Sequence, residues 1–405
     1  MIINPIRPVY FVRKYPQKIN LKTDFCTIEN SCINKKPLVE RKIIDNNQSI
    51  NSFFNNIASL VFADTNDREQ FSALLKKGFV TLSSSCYMDL KNPESAYGVV
   101  LERNRVDLES FDAYINKGQG IGVNFSQFSN PTDEIIKLNK YFKQKEPLSI
   151  RPPAGIALLD INHKKIKEFI ELKNNANYND WCFDLSVIID DNFFNNPDNK
   201  LYAALLNSML KKGEPGVIFS NNKNYICDCC AACELKPNEG LTLAHINLSK
   251  FYNYKTNNVD YNYLYTVSRL LKKAMDNIDK NAYIGVLGYQ DLLDKLNYDY
   301  GSKEALGVLE NCLKTIKKTN CKTALSPNGT TSRILGVYPS IEPKEKNIDK
   351  ELITLQTAKK YMDGQISKTI ILKRNATIED VDRIIKTAKK IGLSGISVFR
   401  DEKNI

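Results

Sequence analysis

Four cysteines lie within seven residues near the middle of the chain, at Cys227, Cys229, Cys230 and Cys233. Four small apolar groups this close together cannot all face one core, so packing alone does not explain them. Closely spaced thiolates bind zinc or iron–sulfur clusters, but the pattern Cys-x-Cys-Cys-x-x-Cys is not a standard zinc spacing and no second cysteine pair follows it. The spacing favours thiol redox or radical chemistry over a metal site; the third interpretation is that the cysteines are incidental.

The rest of the composition bears on where such thiols could work. The chain has ten cysteines, no apolar run long enough to span a bilayer, and a start without the continuous apolar core of a secretory signal. We therefore expect reduced thiols in a cytoplasmic protein. Only two histidines are present, His163 and His245, which argues against a histidine-based triad or a metal centre with several histidines.

Small polar residues fill a second segment, Ser326-Pro-Asn-Gly-Thr-Thr-Ser332, which its proline and glycine predict to be a loop. Gly329 permits close approach of the backbone, and Thr330, Thr331 and Ser332 offer hydroxyl groups. These features suit a phosphate, although ordinary turns have the same composition.

The elements that must position these segments alternate between helix and strand patterns after residue 55, which is typical of an α/β fold. At the C-terminal end, residues 368–372 and 395–399 read as strands, and Thr377 with Asp380 predicts a capping box that opens the helix between them. The two strands of this βαβ unit should be parallel. Helices are also predicted at 163–174 and 260–279, buried strands at 181–189 and 213–219, and a tight turn into a strand at 118–122.

The net charge of +11 is unevenly distributed, because residues 1–44 hold nine Lys or Arg against three Asp or Glu. This charge lies in a segment with little periodicity, so we predict a flexible, irregular extension over residues 1–55 rather than a nucleic-acid-binding surface. Residues 56–405 would then form one catalytic unit.

Nine segments resemble ribonucleotide reductases in order and spacing, over residues 65–402. They are SSSC (83–86), GQGIGVNFS (118–126), RPPAGIALLDINHKKIKEFIELK (151–173), WCFDLSVIIDDNFF (181–194), GEPGVIF (213–219), HINLSKF (245–251), IGVLGYQDLL (284–293), SPNGTTSRILGVYPSIEP (326–343) and ISKTIIL (366–372). The last part, with GLSGISVFRDE at 392–402, resembles the adenosylcobalamin-dependent class. Phe399 stands where the class that uses a radical-generating partner subunit has a tyrosine pair.

The resemblance implies a ten-stranded α/β barrel of two parallel five-stranded halves, with a finger loop through its centre. In that family a cysteine at the loop tip becomes a thiyl radical and removes the ribose 3′ hydrogen, while two further cysteines supply reducing equivalents. An Asn and a Glu flank the radical cysteine. SSSC at 83–86 resembles the Ser-Ser-Cys strand of the family, so the resemblance implies a strand there. By position, Cys86 matches the first redox cysteine, and the substrate contacts implied are Ser85, Gly122, Asn328, Gly329, Thr330, Thr331 and Ser332.

The finger loop departs from the family motif Asn-Pro-Cys-Gly-Glu. A register without gaps, counted back from Pro237, makes Cys230 the radical cysteine and loses the Glu. A register with a short deletion pairs Cys233 and Glu234 with the family Cys and Glu instead. Neither register restores the Asn, and the second redox cysteine falls at Leu241, so Cys86 has no evident disulfide partner.

Three hypotheses follow. The first is a divergent reductase of ribonucleoside di- or triphosphates that uses adenosylcobalamin and a thioredoxin-like reductant, with no nucleic-acid or membrane partner, and that is compatible with a homodimer. The second is a radical barrel that has lost net reduction. The third is a nucleotide-binding or regulatory homologue without turnover, with metal at residues 227–233.

Overall fold

The computed structural model describes residues 33–101, 106–149, 152–174 and 180–400. Its strands are β1 Val80–Leu82, β2 Ala96–Val99, β3 Gly120–Asn124, β4 Gly155–Asp160, β5 Phe183–Ile189, β6 Gly216–Phe219, β7 Gly240–Leu241, β8 Leu243–Asn247, β9 Tyr252–Asn253, β10 Asn258–Val259, β11 Tyr283–Leu287, β12 Lys322–Thr323, β13 Ser367–Leu372 and β14 Gly395–Arg400.

Helices separate most of these strands. They are α1 Lys35–Glu40, α2 Ile50–Val61, α3 Thr65–Lys76, α4 Ser84–Met88, α5 Asp112–Asn116, α6 Pro131–Lys145, α7 Ile166–Glu171, α8 Asp191–Asn195, α9 Asn199–Lys212, α10 Tyr261–Ile278, α11 Tyr289–Leu296, α12 Lys303–Lys317, α13 Gly329–Leu335, α14 Ile348–Lys359 and α15 Ile378–Lys390. In the described part of the chain, no helix is both long and apolar enough to cross a membrane.

Hydrogen bonding divides the strands into an eight-stranded sheet, a four-stranded sheet and the small β9–β10 pair. In the large sheet, β2, β3, β4, β5 and β6 form a continuous parallel run. The run ends in antiparallel contacts, with β7 on one side and β14 on the other. Five parallel strands are therefore present as the predicted first half of the barrel.

The second half is assembled from both sheets. β8, β11 and β12 are parallel neighbours, and β13 is parallel to β14. A single parallel bridge between Leu325 and Ile366 connects the β12 side to the β13 side, and only Thr242 separates β7 from β8. Traced from strand to strand, the pairing gives the two predicted parallel halves, and the structure adds antiparallel contacts where they meet.

Side-chain alternation shows that both faces of the parallel run are buried. Ile156 and Leu158 of β4 pack in a small cluster with Tyr225 and Cys227, while Ala157 and Leu159 pack in the main core with the helices. Parallel strands covered on both faces read as continuous apolar segments, which is why the sequence showed little alternation there. The smaller cluster lies on the face opposite the helices.

The C-terminal βαβ unit is confirmed. β13 and β14 are parallel over six residue pairs, and the side chain and backbone of Thr377 exchange hydrogen bonds with Asp380 in a capping box. The predicted strands at 181–189 and 213–219 and the predicted helices at 163–174 and 260–279 are confirmed as β5, β6, α7 and α10, with somewhat different ends.

The structure describes only part of the predicted irregular extension, because residues 1–32 lie outside the described residues. The remaining part, residues 33–55, differs from the expectation. It contains α1 and the first half of α2, and Leu38 and Phe54 are fully buried. A boundary at residue 55 would cut α2, whose apolar face packs into the main core, so local charge was a poor guide to order here.

Candidate active site

The four clustered cysteines lie on a short hairpin, residues 226–235, which we call the cysteine hairpin. The backbone N–H of Leu235 donates to Ile226 O at 2.9 Å, and the N–H of Asp228 donates to Cys233 O at 3.1 Å. At the turn, Ala231 has a φ of 52°, a left-handed conformation that a β-carbon disfavours. The hairpin therefore presents Cys229 and Cys230 at its tip and carries Cys227 and Cys233 on its two arms.

Glycines on the inner face of the large sheet make room for this hairpin. A β-carbon added to Gly122 would lie 1.7 Å from Cys227 O, and one added to Gly120 would lie 2.3 Å from Cys229 Sγ. Gly98 of β2 is similarly close to the Ile226 side chain, at 2.7 Å. Glycine thus allows the hairpin backbone to approach β2 and β3 more closely than any other residue would.

The hairpin also contacts the second half of the fold. Cys233 packs in a cluster with Leu241, Leu243 and Ala324, and a β-carbon on Gly364 would lie 3.0 Å from Cys233 Sγ. Cys227 packs instead against the large sheet, with Ile156 and Ile218. The hairpin is therefore enclosed between the two halves, as the resemblance predicted for a finger loop.

Asp228 holds the turn of the hairpin. Its two carboxylate oxygens accept from the backbone N–H groups of Cys230 at 2.9 Å and Cys233 at 2.7 Å. Burial raises the pKa of Asp228, and these backbone hydrogen bonds oppose that rise. One oxygen of Asp228 and the sulfurs of Cys229 and Cys230 lie within 4.8 Å of one another. Three potential ligands, one of them already engaged, do not make up a four-ligand structural zinc site.

The four thiols differ in environment. Cys229 Sγ lies 3.7 Å from Cys230 Sγ, and Cys230 is half-buried. Cys227 and Cys233 are fully buried, and desolvation raises the pKa of both thiols. A buried thiol with a raised pKa keeps its proton, which suits removal of a hydrogen atom and not attack as a thiolate.

Next to Cys233, Glu234 projects from the hairpin and is exposed. Asn222 Nδ2 donates to Glu234 Oε1 at 3.4 Å, and Gln365 Nε2 donates to Glu234 Oε2 at 3.3 Å. The Tyr225 hydroxyl donates in turn to Gln365 Oε1. Sequence analysis missed Asn222, Gln365 and Tyr225, because no local motif links Gln365 with the hairpin. The fold thus provides an Asn beside the Cys-Glu pair that the sequence register lacked.

A group of buried charges lies near the hairpin tip and was also missed. Lys173 Nζ is 2.7 Å from Glu214 Oε2, and the N–H of Leu185 donates to the same carboxylate at 3.1 Å. Burial, followed by the neighbouring charge of Glu214, raises the pKa of Asp184 well above its usual value, and Cys229 is among its electrostatic neighbours. A lone Lys and two separate acids in the sequence gave no signal for this cluster.

Cys86 lies in a different setting from the one expected. The SSSC segment was predicted to be a strand, but Ser84–Met88 is helix α4, which begins where the Ser83 side chain caps the N–H of Cys86. The Cys86 sulfur contacts Ser83 Oγ at 3.2 Å, Pro93 O at 3.4 Å and Leu243 O at 3.9 Å. Burial raises the pKa of Cys86 to about 12. Among the described residues, no sulfur contact of Cys86 with a second cysteine is present.

Two further predicted substrate residues are engaged within the protein. Ser85 is buried, and its hydroxyl lies 2.9 Å from Ser83 Oγ. Gly122 is covered by the Cys227 carbonyl. In this structure Ser85 contacts the helix-capping Ser83 and Gly122 makes room for the hairpin, so substrate contact at both positions stays a prediction.

The predicted phosphate segment, residues 326–332, was expected to be a loop, but only its first part is one. Its second part is the beginning of a helix. Residues from Gly329 onward form α13, and Asn328 precedes it with a φ of 35°. Asn328 Nδ2 donates to Val286 O at 3.1 Å, and Asn328 Oδ1 accepts from the Ser340 N–H at 2.8 Å, which fixes this turn. Proline and glycine signalled the turn correctly, but the following Thr-Thr-Ser continues into helix because Ile334 and Leu335 are buried.

The polar groups of this segment fall into two sets. Thr331 Oγ1 and Ser332 Oγ donate to the carbonyls of Asn328 and Gly329, at 2.9 and 3.1 Å. Gly329 is exposed and has open space around its α-carbon, and Thr330 is half-buried. The free N–H groups at the start of α13, with the Thr330 hydroxyl, form the part that an anion can reach.

His245 supports the same segment from β8. Its Nε2 lies 3.0 Å from Ser326 Oγ, while its Nδ1 is buried without a hydrogen-bond partner among the described residues. Burial lowers the pKa of His245 to about 4, so the ring is neutral at pH 7. The sequence gave His245 no role, since a single histidine within a strand is usually a packed core residue.

Comparisons with known proteins agree with this architecture. The vitamin B12-dependent ribonucleoside-diphosphate reductase of Thermoplasma acidophilum is 25% identical over 451 residues, a match that covers 72% of this chain and 58% of that relative. The chain thus spans less than two thirds of the length of this curated relative. The solved Actinobacillus ureae class Id ribonucleotide reductase alpha subunit matches with a TM-score of 0.72 at 16% identity, over 92% of this chain and 98% of that one. No family model matches the chain. The chain has the fold of a ribonucleotide reductase alpha subunit.

Proposed function

We propose that this protein reduces ribonucleotides to deoxyribonucleotides, with a thiyl radical on the cysteine hairpin as the hydrogen-abstracting group. The observation that carries the proposal is the arrangement around Cys233. This buried thiol is followed by Glu234, and Glu234 is held by the side-chain amides of Asn222 and Gln365. A thiol, a carboxylate and an Asn amide are the groups that the family uses at its radical site, and here Cys233, Glu234 and Asn222 provide them within residues 222–234.

The two candidate positions for the radical differ in their surroundings. Cys230 stands at the hairpin tip, where the nearby carboxylate is that of Asp228. This carboxylate is buried and holds the turn, because its two oxygens accept from the backbone N–H groups of Cys230 and Cys233. Cys233 has Glu234 beside it and is enclosed by Ala324 and Gly364. A dry site protects a radical from side reactions, so we assign the radical to Cys233.

Glu234 would act as the proton acceptor or donor for the ribose hydroxyl groups. A positioned acid or base of this kind contributes roughly 10²–10⁴-fold to a rate. The amides of Asn222 and Gln365 orient its two oxygens, which leaves the remaining lone pairs for a substrate hydroxyl.

The start of α13 is proposed to hold the substrate phosphates. Gly329 gives access to the backbone N–H groups, and Thr330 adds a hydroxyl. Asn328, Thr331 and Ser332 would shape the turn through their internal hydrogen bonds. The bridge between Leu325 and Ile366 sets this segment next to Gln365, so phosphate and ribose groups could be bound on neighbouring strands.

Adenosylcobalamin is the proposed cofactor, on the strength of the B12-dependent relative. When bound, it supplies an adenosyl radical that removes a hydrogen atom from a thiol. The residues present fit such a group on one side of the hairpin, where exposed Asn222 and half-buried Gln365 adjoin the buried Cys233. Asn222 and Gln365 are the side chains that would contact it, while Glu234 would face the substrate. A thioredoxin-like or other thiol in the cytoplasm would return the electrons.

The test is deoxynucleotide formation by the purified chain with adenosylcobalamin, dithiothreitol and each ribonucleoside di- and triphosphate. We expect product from the wild-type protein and a loss of more than about 10³-fold in Cys233→Ala. Cys312→Ala, a buried cysteine of α12 far along the chain, is the matched control.

Two results would change the proposal. Cofactor binding by the wild-type protein without any deoxynucleotide product would overturn it. Full loss in Cys230→Ala, with turnover retained in Cys233→Ala, would move the radical to the hairpin tip.

A further inference from the structure

We infer that Cys229 and Cys230 at the hairpin tip are the reducing dithiol of this protein, and that Cys86 is not part of it. This inference rests on the proposed reductase function and names the residues that supply its electrons. In the family, the two redox cysteines correspond to positions 86 and 241 of this chain. We place the reducing pair instead on two adjacent residues of the hairpin that also carries the proposed radical cysteine.

The first argument is proximity. The sulfur atoms of Cys229 and Cys230 are 3.7 Å apart. Cys86, in contrast, directs its sulfur to three oxygen atoms, of Ser83, Pro93 and Leu243. The position of the family's second redox cysteine is occupied by Leu241, which is buried and cannot carry electrons.

The second argument is the count of thiols that the reaction needs. The C2′–O bond breaks and a C2′–H bond forms, and the oxygen leaves as water. Two thiols supply the two electrons and two hydrogens and become a disulfide. A third cysteine, as a thiyl radical, takes the C3′ hydrogen atom to become a thiol and later returns that hydrogen atom. Cys229, Cys230 and Cys233 meet this count on one hairpin, without Cys86.

The third argument is access. A disulfide formed in each turnover must be reached by an external thiol, which attacks one sulfur directly. Cys230 is half-buried, whereas Cys229 is 6% exposed and Cys86 and Cys233 are 0% exposed. Of these thiols Cys230 is the one that a reductant can attack, while Cys233 keeps the dry surroundings that a radical needs.

The fourth argument is the ease of reduction. Adjacent Cα atoms are about 3.8 Å apart, below the roughly 4.4–6.8 Å that an unstrained disulfide spans. A disulfide between neighbours is therefore strained, and strained disulfides are more readily reduced. The pair would return to the dithiol state with ordinary cellular thiols, which is what a catalytic pair requires.

A single-turnover experiment tests this inference. The chain is reduced, freed of reductant, and given adenosylcobalamin and a ribonucleotide. We expect one deoxynucleotide per chain, because one dithiol supplies two electrons. Fragmentation of the hairpin peptide in a mass spectrometer should then place the disulfide at Cys229 and Cys230, with Cys86 still open to alkylation after unfolding.

The variants are Cys229→Ser and Cys312→Ser. We expect Cys229→Ser to lower the amount of deoxynucleotide formed per chain in the single turnover at least about tenfold. Cys312→Ser, the matched control, should form as much as the wild-type protein. A readout without turnover is oxidation by a large excess of glutathione disulfide in the absence of reduced glutathione, which should drive formation of the Cys229–Cys230 disulfide in the wild-type protein. That exchange forms one protein disulfide and releases two glutathione thiols.

The outcomes are distinguishable. If no deoxynucleotide forms, the reductase proposal fails, while the glutathione readout still reports on the pair. If one deoxynucleotide forms but the disulfide contains Cys86, or if Cys229 and Cys230 stay reduced, the dithiol inference is wrong and the reductase proposal stands.

Discussion

The cysteine hairpin and helix α4 both bury thiols, yet they bury them differently. Cys86 of α4 is held by a serine hydroxyl and two backbone carbonyls, within the main core that includes the helices. The hairpin thiols lie on the opposite face, enclosed between strands, and two of them are in contact with each other. The comparison teaches that burial and position in a motif do not by themselves place a second sulfur beside a cysteine, which a disulfide requires.

The surroundings of the two regions differ in the same way. The hairpin has a carboxylate, two side-chain amides and an open side at Glu234, whereas Cys86 has no exposed group among its sulfur contacts. We therefore interpret α4 as a structural helix that keeps the sequence of the family motif, and the cysteine hairpin as the proposed site of the reaction. Four variants can break or sharpen this comparison.

The largest effect is expected for Glu234→Gln. Replacing the carboxylate removes the group that moves a proton, so kcat should fall by about 10²–10⁴-fold with little change in KM. The control is Glu239→Gln, because the Glu239 carboxylate accepts a hydrogen bond from the Lys236 N–H at 2.8 Å on the stem of the same region, and Gln keeps an acceptor oxygen there. An equal loss of kcat in both variants would show that Glu234 has no specific role in proton transfer.

The second effect concerns the fit of the hairpin. Gly122→Ala puts a β-carbon 1.7 Å from Cys227 O, so the hairpin must shift and the free energy of unfolding should fall by about 2–3 kcal/mol. Gly307→Ala is the control, because its β-carbon meets nothing within 4 Å in helix α12. That change should stabilise by up to about 1 kcal/mol. Urea unfolding of both variants measures the difference, and an unaffected Gly122→Ala protein would mean that the hairpin does not sit against β3.

The third effect is a pH dependence from His245. Its folded pKa of about 4 lies below the ordinary 6.5, so between these values the unfolded chain binds the proton and the folded chain does not. Stability contributed by neutral His245 is present above pH 6.5 and is lost as pH falls, at about 1.4 kcal/mol per pH unit. His245→Gln should remove this part of the slope in unfolding measured from pH 7 to pH 4.5. Identical slopes would show that His245 is not buried beside the phosphate segment.

The smallest effect is expected for Cys86→Ala. Loss of one buried sulfur should lower the free energy of unfolding by about 1 kcal/mol, as for removal of a single buried methyl group. Cys312→Ala gives the scale, because both cysteines are 0% exposed. A Cys86→Ala protein with wild-type stability but no turnover would contradict the structural role and return Cys86 to the chemistry.

Much of the fold could be predicted from the sequence because its signals are local. Thr377 and Asp380 predicted a helix start, and the apolar stretches at 181–189 and 213–219 predicted buried strands, all of which were confirmed. The order of the nine segments predicted the reductase fold. The errors came where local pattern and packing disagreed: SSSC lies at the start of a helix, and residues 33–55 contain α1 and the first half of α2 despite their charge.

The site could be predicted only in part. The sequence identified the thiol-rich hairpin and the start of α13, because cysteine spacing and a Pro-Asn-Gly turn are visible in a single segment. It did not identify Asn222, because no local motif links Asn222 with Glu234. It did not identify Gln365 or His245, because each becomes relevant only through a partner far along the chain, Gln365 being 131 residues from Glu234.

The amino-acid sequence by itself therefore determined most of the helices and strands and their order, and it placed four cysteines within seven residues. Only the tertiary structure decided which thiols share a surface, which side of the sheet they occupy, and which amides reach Glu234. The physical reason is that helix caps and apolar periodicity act over a few residues, whereas contacts such as Cys227 against Gly122 or Gln365 against Glu234 exist only after distant strands have paired.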